Sequence, residues 1–116
     1  MVEQLLRAGV SCIAEAAFQH RLWAPRLEPL AAQADLRVLH CRCDPRLARQ
    51  RFIARGLADP DRVRFHGDAA VQAARDGREL PIGDYQPPEL PHPTLVVDTS
   101  HGYALDLAAL RDFCLT

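Results

Sequence analysis

The chain has 116 residues, 48% of them apolar and 25% charged, with a formal net charge of −1. That length fits one domain at most, and the near-neutral balance gives no electrostatic basis for gripping nucleic acid or an anionic membrane. No apolar run reaches the roughly 18 residues a membrane span needs and no signal-peptide pattern opens the chain, so a cytoplasmic address is expected.

In chain order, "MVEQLLRAG" places Val2, Leu5 and Leu6 on one helical face and offers Gly9 as the stop. "VSCIA" reads as a short buried strand ending on Glu15. Helical spacing returns through Leu27, Leu30, Ala31 and Ala34, with Pro25 and Pro29 making the start irregular, so the helix is expected at about 26–34. "LRVLHC", 36–41, is a second strand. "CDPRLARQRFIARG" then gives a helix with Asp44 at the N-cap, Pro45 at the first position and Gly56 as the stop.

Residues 57–68 form a polar, arginine-rich stretch, and "AAVQAARDG" suits a short helix ending near Gly77. Closely spaced prolines make 80–93 a loop, packed down by Leu80, Ile82 and Tyr85. "TLVVD", 94–98, is a third strand, and "ALDLAALRDFC" closes with a helix whose buried face holds Leu107, Leu110 and Cys114. Helices alternating with short apolar strands indicate an α/β fold with a parallel sheet of about three strands. Ligands of such sheets bind beyond the carboxyl ends of the strands. The residues there are Glu15, Cys43, Asp44, Asp98, Thr99 and Ser100.

Every one of the 14 basic residues is arginine. Chemistry that needs a lysine ammonium must therefore find it on another chain. Arg51 and Arg55 stand four apart and share a helix face, where like charges repel by a few tenths of a kcal/mol. With Arg49, Arg62 and Arg64 nearby, the cluster suits an anion, phosphate above all, because the guanidinium fork grips it bidentately. A solvated face balanced by Asp59 and Asp61 is the competing reading. Glu15 suits a general base, a water-mediated metal contact or a hydroxyl partner, against simple capping of nearby backbone. Asp98 with Thr99 and Ser100 reads first as a cap for the last helix and second as a nucleotide-facing turn.

Of the four cysteines, Cys12, Cys41, Cys43 and Cys114, three lie in apolar runs, where free cysteine behaves as a small buried hydrophobe. Cys41 and Cys43 point the same way on a strand, but with His40 they do not complete a four-ligand zinc site, and no metal site is assigned. His66 lies in the arginine-rich stretch, as a phosphate contact or as a plain loop histidine. Neither a Gly-x-Ser-x-Gly elbow nor a His-Glu-x-x-His motif is present.

The order and spacing of "LLRAGVSCIAEAAF", "LWAPRLEPLAAQADLRVLHCRCDPRLARQRFIAR" and "TLVVDTSHGY" resemble the small P-loop kinases of the AAA-domain and zeta-toxin-like group, akin to chloramphenicol phosphotransferase. The likeness runs over nearly the whole chain but corresponds to the later part of that domain, with a lid at about 45–68. It implies ATP- and Mg²⁺-dependent phosphoryl transfer to a small-molecule hydroxyl. By position, Glu15 matches the acceptor-facing acid, and Arg51 and Arg55 match lid arginines that close over the phosphoryl group. Asp98, Thr99 and His66 fall on the nucleotide side, and Arg21 and Trp23 fall in the acceptor pocket.

The departure is the phosphate loop. The pattern G-x-x-x-x-G-K-[ST] occurs nowhere, and no lysine could complete it. A truncated product, a mis-assigned start codon or a fragment of a longer protein would each account for this. The resemblance also implies a vacant slot between the strands at 10–15 and 37–42. A rearranged three-stranded sheet in which those strands pair directly, a partner strand or homodimer at the vacated edge, or poor stability is expected to follow. The alternative to an inactive kinase fragment is a kinase remnant that binds anions or a partner chain.

Overall fold

The computed structural model describes residues 1–102 and 105–116. The chain is mixed α/β, with two strands, β1 (Val38–Arg42) and β2 (Thr94–Asp98), paired in a parallel sheet. Its helices are α1 (Val2–Arg7), α2 (His20–Leu27), α3 (Pro45–Ala58), α4 (Pro60–His66), α5 (Ala69–Arg75) and α6 (Leu107–Leu115). A 3₁₀ turn, Glu28–Ala32, follows α2 directly. The helices α3, α4 and α5 lie in sequence between the two strands, as a parallel connection requires. The chain divides into two compact units, one formed by 1–40, 85–97 and 105–116 and the other by 41–84 and 98–104.

In the first unit, α1 ends as its sequence dictates. Gly9 takes φ +73°, and the Val10 N–H folds back onto the Leu5 carbonyl at 2.9 Å. The expected strand over 10–15 is absent: this segment has no regular secondary structure and is exposed, with Val10 at 46% and Ile13 at 94% exposure. The physical reason is pairing. A strand exists only where its N–H and C=O groups find a ladder, and among the described residues the backbone of 11–17 makes no hydrogen bond. The sheet therefore has two strands where about three were expected.

The helix expected at 26–34 begins six residues early, at His20, and runs through Pro25 before tightening into the 3₁₀ turn. Pro25 forfeits the hydrogen bond its nitrogen would otherwise have made to the carbonyl four residues back. Ala24 is buried, and Trp23 stands edge-on to Phe18 with centroids 5.0 Å apart at 89°. The Arg26 guanidinium lies 5.6 Å from the Trp23 ring centre.

The proline-rich stretch is loop, as read, and of the side chains expected to pack it down Leu80 is half-buried; hydrogen bonds hold the rest. Ile82 and Tyr85 are 40% and 45% exposed. Here the His20 N–H donates to the Gln86 carbonyl at 2.8 Å, and the Glu89 N–H donates to His20 Nδ1 at 3.0 Å.

Val97 of β2 is buried and anchors this unit with Ala24. Helix α6 starts at its Asp106 N-cap, whose carboxylate accepts the Ala109 N–H at 2.8 Å. Its inner face is Leu110 and Phe113; Leu107 is 80% exposed and Cys114 is exposed, contrary to expectation. Arg37 sets that rotation. Its guanidinium donates to the Phe113 carbonyl at 2.6 Å and lies 5.8 Å from the Phe113 ring centre. Tyr103, in the "TLVVDTSHGY" stretch, and Ala104, the expected first residue of this helix, lie outside the described residues.

In the second unit, Asp44 caps α3 as expected, accepting the N–H groups of Arg46 and Leu47 at 3.0 Å each. Gly56 does not stop this helix. It is buried inside α3, and a Cβ placed on it would lie 2.5 Å from Val71 Cγ2. The glycine is there for close approach of α3 and α5, with Val71 fully buried and Ala73 2% exposed behind it. Asp59 ends α3 and caps α4, accepting the Arg62 N–H at 3.3 Å. The arginine-rich stretch is thus largely helical, and α4 stops at Gly67 with φ +59°.

Candidate functional site

The second unit gathers chemistry where the two strands end. After β2 the chain turns sharply. The Asp98 carboxylate accepts the Ser100 N–H at 2.8 Å, and Ser100 and Gly102 form an isolated parallel bridge, with Gly102 at φ +90°. The turn is stitched to the end of β1: Thr99 donates its N–H at 2.7 Å and its hydroxyl at 3.0 Å to the Arg42 carbonyl. The Asp44 N–H donates to Ser100 Oγ at 3.3 Å, and Arg42 pairs with Asp98 at 3.5 Å. The Ser100 hydrogen bonds, with a smaller contribution from Arg42, hold the Asp98 carboxyl below the usual aspartate range.

Arg51, two turns into α3, closes this arrangement. Its Nη1 and Nη2 donate to the successive carbonyls of Thr99 and Ser100, each at 2.8 Å, and Nη1 also lies 3.5 Å from Cys43 Sγ. A planar fork matches two adjacent carbonyls as it would match two oxygens of one anion. Part of the Arg51 donor set is thereby engaged by the protein's own backbone.

Arg55 is placed differently. It is exposed, and among the described residues its guanidinium makes no hydrogen bond or ion pair. Arg51, Ala54, Arg55 and Ala58 line one open depression on α3. Two alanines provide floor without bulk, and two guanidinium groups provide positive charge. Of the carboxylates expected to balance this face, Asp59 caps α4, and Asp61, in the first turn of α4, forms no ion pair among the described residues.

The remaining expected site residues fall as follows. His66 is exposed in the last turn of α4, in a helix rather than a loop. Asp98 serves its own turn and not the last helix, which Asp106 caps. Asp98 and Thr99 meet Arg51 through the stitched turn. Glu15, Arg21 and Trp23 belong to the first unit. Glu15 is exposed in the irregular segment before α2, not at a strand end, and Arg21 is exposed on α2. Trp23 is half-buried, with Phe18 edge-on to its ring.

Thr99 and Ser100 are placed at the strand ends from sequence, but the contacts of the Ser100 hydroxyl and of the Thr99 and Ser100 carbonyls are not legible there. Their partners lie 48 to 56 residues away, and no local spacing rule reports such a contact.

The cysteines are free, with Cys12, Cys41 and Cys114 exposed and Cys43 half-buried. The buried-hydrophobe reading fails for Cys12, Cys41 and Cys114, which lie in an irregular segment, near a strand end and on an outer helix face.

The donor set does not fit a Mg²⁺–nucleotide site of the implied kind. The sequence has no lysine and no phosphate loop, and among the described residues no group of three His, Cys, Asp or Glu side chains converges. Among the described residues no helix is long and apolar enough to cross a membrane. No family model, curated protein or solved structure matches this chain.

Proposed function

We propose that this chain is the lid-bearing α/β part of a P-loop small-molecule kinase, and that by itself it binds polyphosphate anions without transferring a phosphoryl group. The observation that carries the reading is the Arg51–Arg55 pair over the alanine floor of α3, where Arg55 is uncommitted. Phosphate oxygens are the natural partners of Arg55, whose guanidinium offers parallel donors in a plane, while Arg51, its fork already on the Thr99 and Ser100 carbonyls, adds positive charge beside it. The parent activity is ATP- and Mg²⁺-dependent transfer to a hydroxyl, with Glu15 toward the acceptor and Arg21 and Trp23 in its pocket. His66, Asp98 and Thr99 are on the nucleotide side. These assignments follow the sequence resemblance; the arginine pair is the part with support in the geometry.

The test is direct. The isolated chain, given ATP, Mg²⁺ and a panel of small alcohols, produces no ADP, while tripolyphosphate binds in a salt-sensitive manner. ADP production by the isolated chain, above all production that survives Arg51→Ala and Arg55→Ala, contradicts the proposal, and so does the absence of tripolyphosphate binding.

The exposed segment at 10–15 favours a second role, capture of a partner strand. Its apolar side chains are exposed and its backbone from residue 11 on is unpaired among the described residues. Light scattering across a concentration series checks it: a monomer at every concentration removes the self-association form of this reading.

A further inference from the structure

Cys41 and Cys43 are nucleophiles that the anion chemistry leaves unused. Cys41 lies in β1 and Cys43 one residue past its end, where the Thr99 N–H on the Arg42 carbonyl carries the pairing beyond the strand; residues two apart in such backbone face one side. Arg51 is their common neighbour. Its Nη1 contacts Cys43 Sγ at 3.5 Å, and Cys41 lines an open depression with Arg51, Thr99 and Gly102. Both thiols are free; Cys41 is exposed and Cys43 half-buried.

The spacing decides what two such sulfurs suit. Extended residues two apart have Cα atoms about 6.6 Å from each other, the outer edge of what a disulfide spans. A bridging ion between the sulfurs relieves that limit. Zinc takes four ligands, and among the described residues no third His, Cys, Asp or Glu joins the pair. His40, the obvious candidate, is tilted against Tyr85 at 6.3 Å between ring centres. Thiolate pairs without further ligands select soft ions, Cu(I) foremost. Charge agrees: two thiolates around a monovalent cation leave one net negative charge, and the Arg51 guanidinium lies beside it.

We propose that Cys41 and Cys43 form a two-sulfur site for a soft monovalent cation of the Cu(I) type, with Arg51 as its counter-ion. Each thiol releases its proton to solvent as its sulfur–metal bond forms, and no electron is transferred.

The test uses the full chain, reduced and kept anaerobic, titrated against the coloured Cu(I)–bicinchoninate complex. The wild type withdraws one equivalent. Cys41→Ser and Cys43→Ser each weaken retention at least tenfold, while the Cys12→Ser/Cys114→Ser double variant matches the wild type. Cys41 is exposed, so its serine variant folds, and circular dichroism verifies this for each variant. No withdrawal by the wild type overturns the proposal. So does retention in Cys41→Ser equal to the wild type, or loss confined to the Cys12→Ser/Cys114→Ser variant.

Discussion

Arg51 on α3 reaches the carbonyls of both Thr99 and Ser100 at 2.8 Å, tying the helix after β1 to the turn after β2. The two ends lie almost fifty residues apart in sequence, so this clip closes a long stretch of chain. Hydrogen bonds from a charged donor contribute about 1.5–3 kcal/mol, toward the low end where solvent reaches the donor, as here. Arg51→Lys keeps the charge but cannot fork across two carbonyls. We expect a loss of about 1 kcal/mol in urea denaturation, with faster amide exchange in residues 99–102.

Gly56 makes the opposite point about helix propensity. Alanine is favoured over glycine inside a helix by about 1 kcal/mol. Yet here the new methyl would meet the rigid, fully buried Val71 at 2.5 Å. Gly56→Ala therefore destabilises by about 1–3 kcal/mol. Adding Val71→Ala recovers part of that loss, giving a coupling energy in a double-mutant cycle that an independent site would not show.

Asp44 anchors the start of α3 through two backbone donors. Asp44→Ala costs about 1 kcal/mol, and Asp44→Ser or Asp44→Asn restores most of it. Thermal unfolding of the three variants side by side checks the order.

Asp98 supplies a pH dependence. Its carboxyl is held below the usual range by Ser100 and Arg42, so the stabilisation it gives is complete above the unfolded aspartate value, near 4. That stabilisation is lost as pH falls through the lower folded value, when the carboxyl protonates. Asp98→Asn removes this part of the acid sensitivity. The difference in melting temperature between wild type and Asp98→Asn is thus largest at neutral pH and shrinks below pH 4. A difference constant down to pH 2 contradicts it.

What the sequence makes legible here is local grammar. Gly9, Asp44–Pro45 and the "TLVVD" run act on their immediate neighbours, and each sits where spacing placed it. The same grammar was present and unread at Asp59–Pro60, which opens α4 just as Asp44–Pro45 opens α3. Gly56 misled because a glycine inside a helix and one at its end look alike until the packing partner, Val71, is known.

Residues 10–15 misled for a related reason. Apolar β-branched composition states a capacity to pair, and whether a ladder exists is decided elsewhere in the chain. The candidate site was half legible: the arginine cluster reads from spacing, whereas the engagement of Arg51 depends on carbonyls that no pattern marks.

That division between Arg51, engaged, and Arg55, uncommitted, leads to the central measurement. Calorimetric titration of tripolyphosphate into the isolated chain at low ionic strength tests the anion site most directly. The account predicts saturable binding that weakens about tenfold, or 1.4 kcal/mol, in Arg55→Ala with the unfolding midpoint unchanged. Equal affinity in the wild type and Arg55→Ala, or no binding by the wild type, contradicts it.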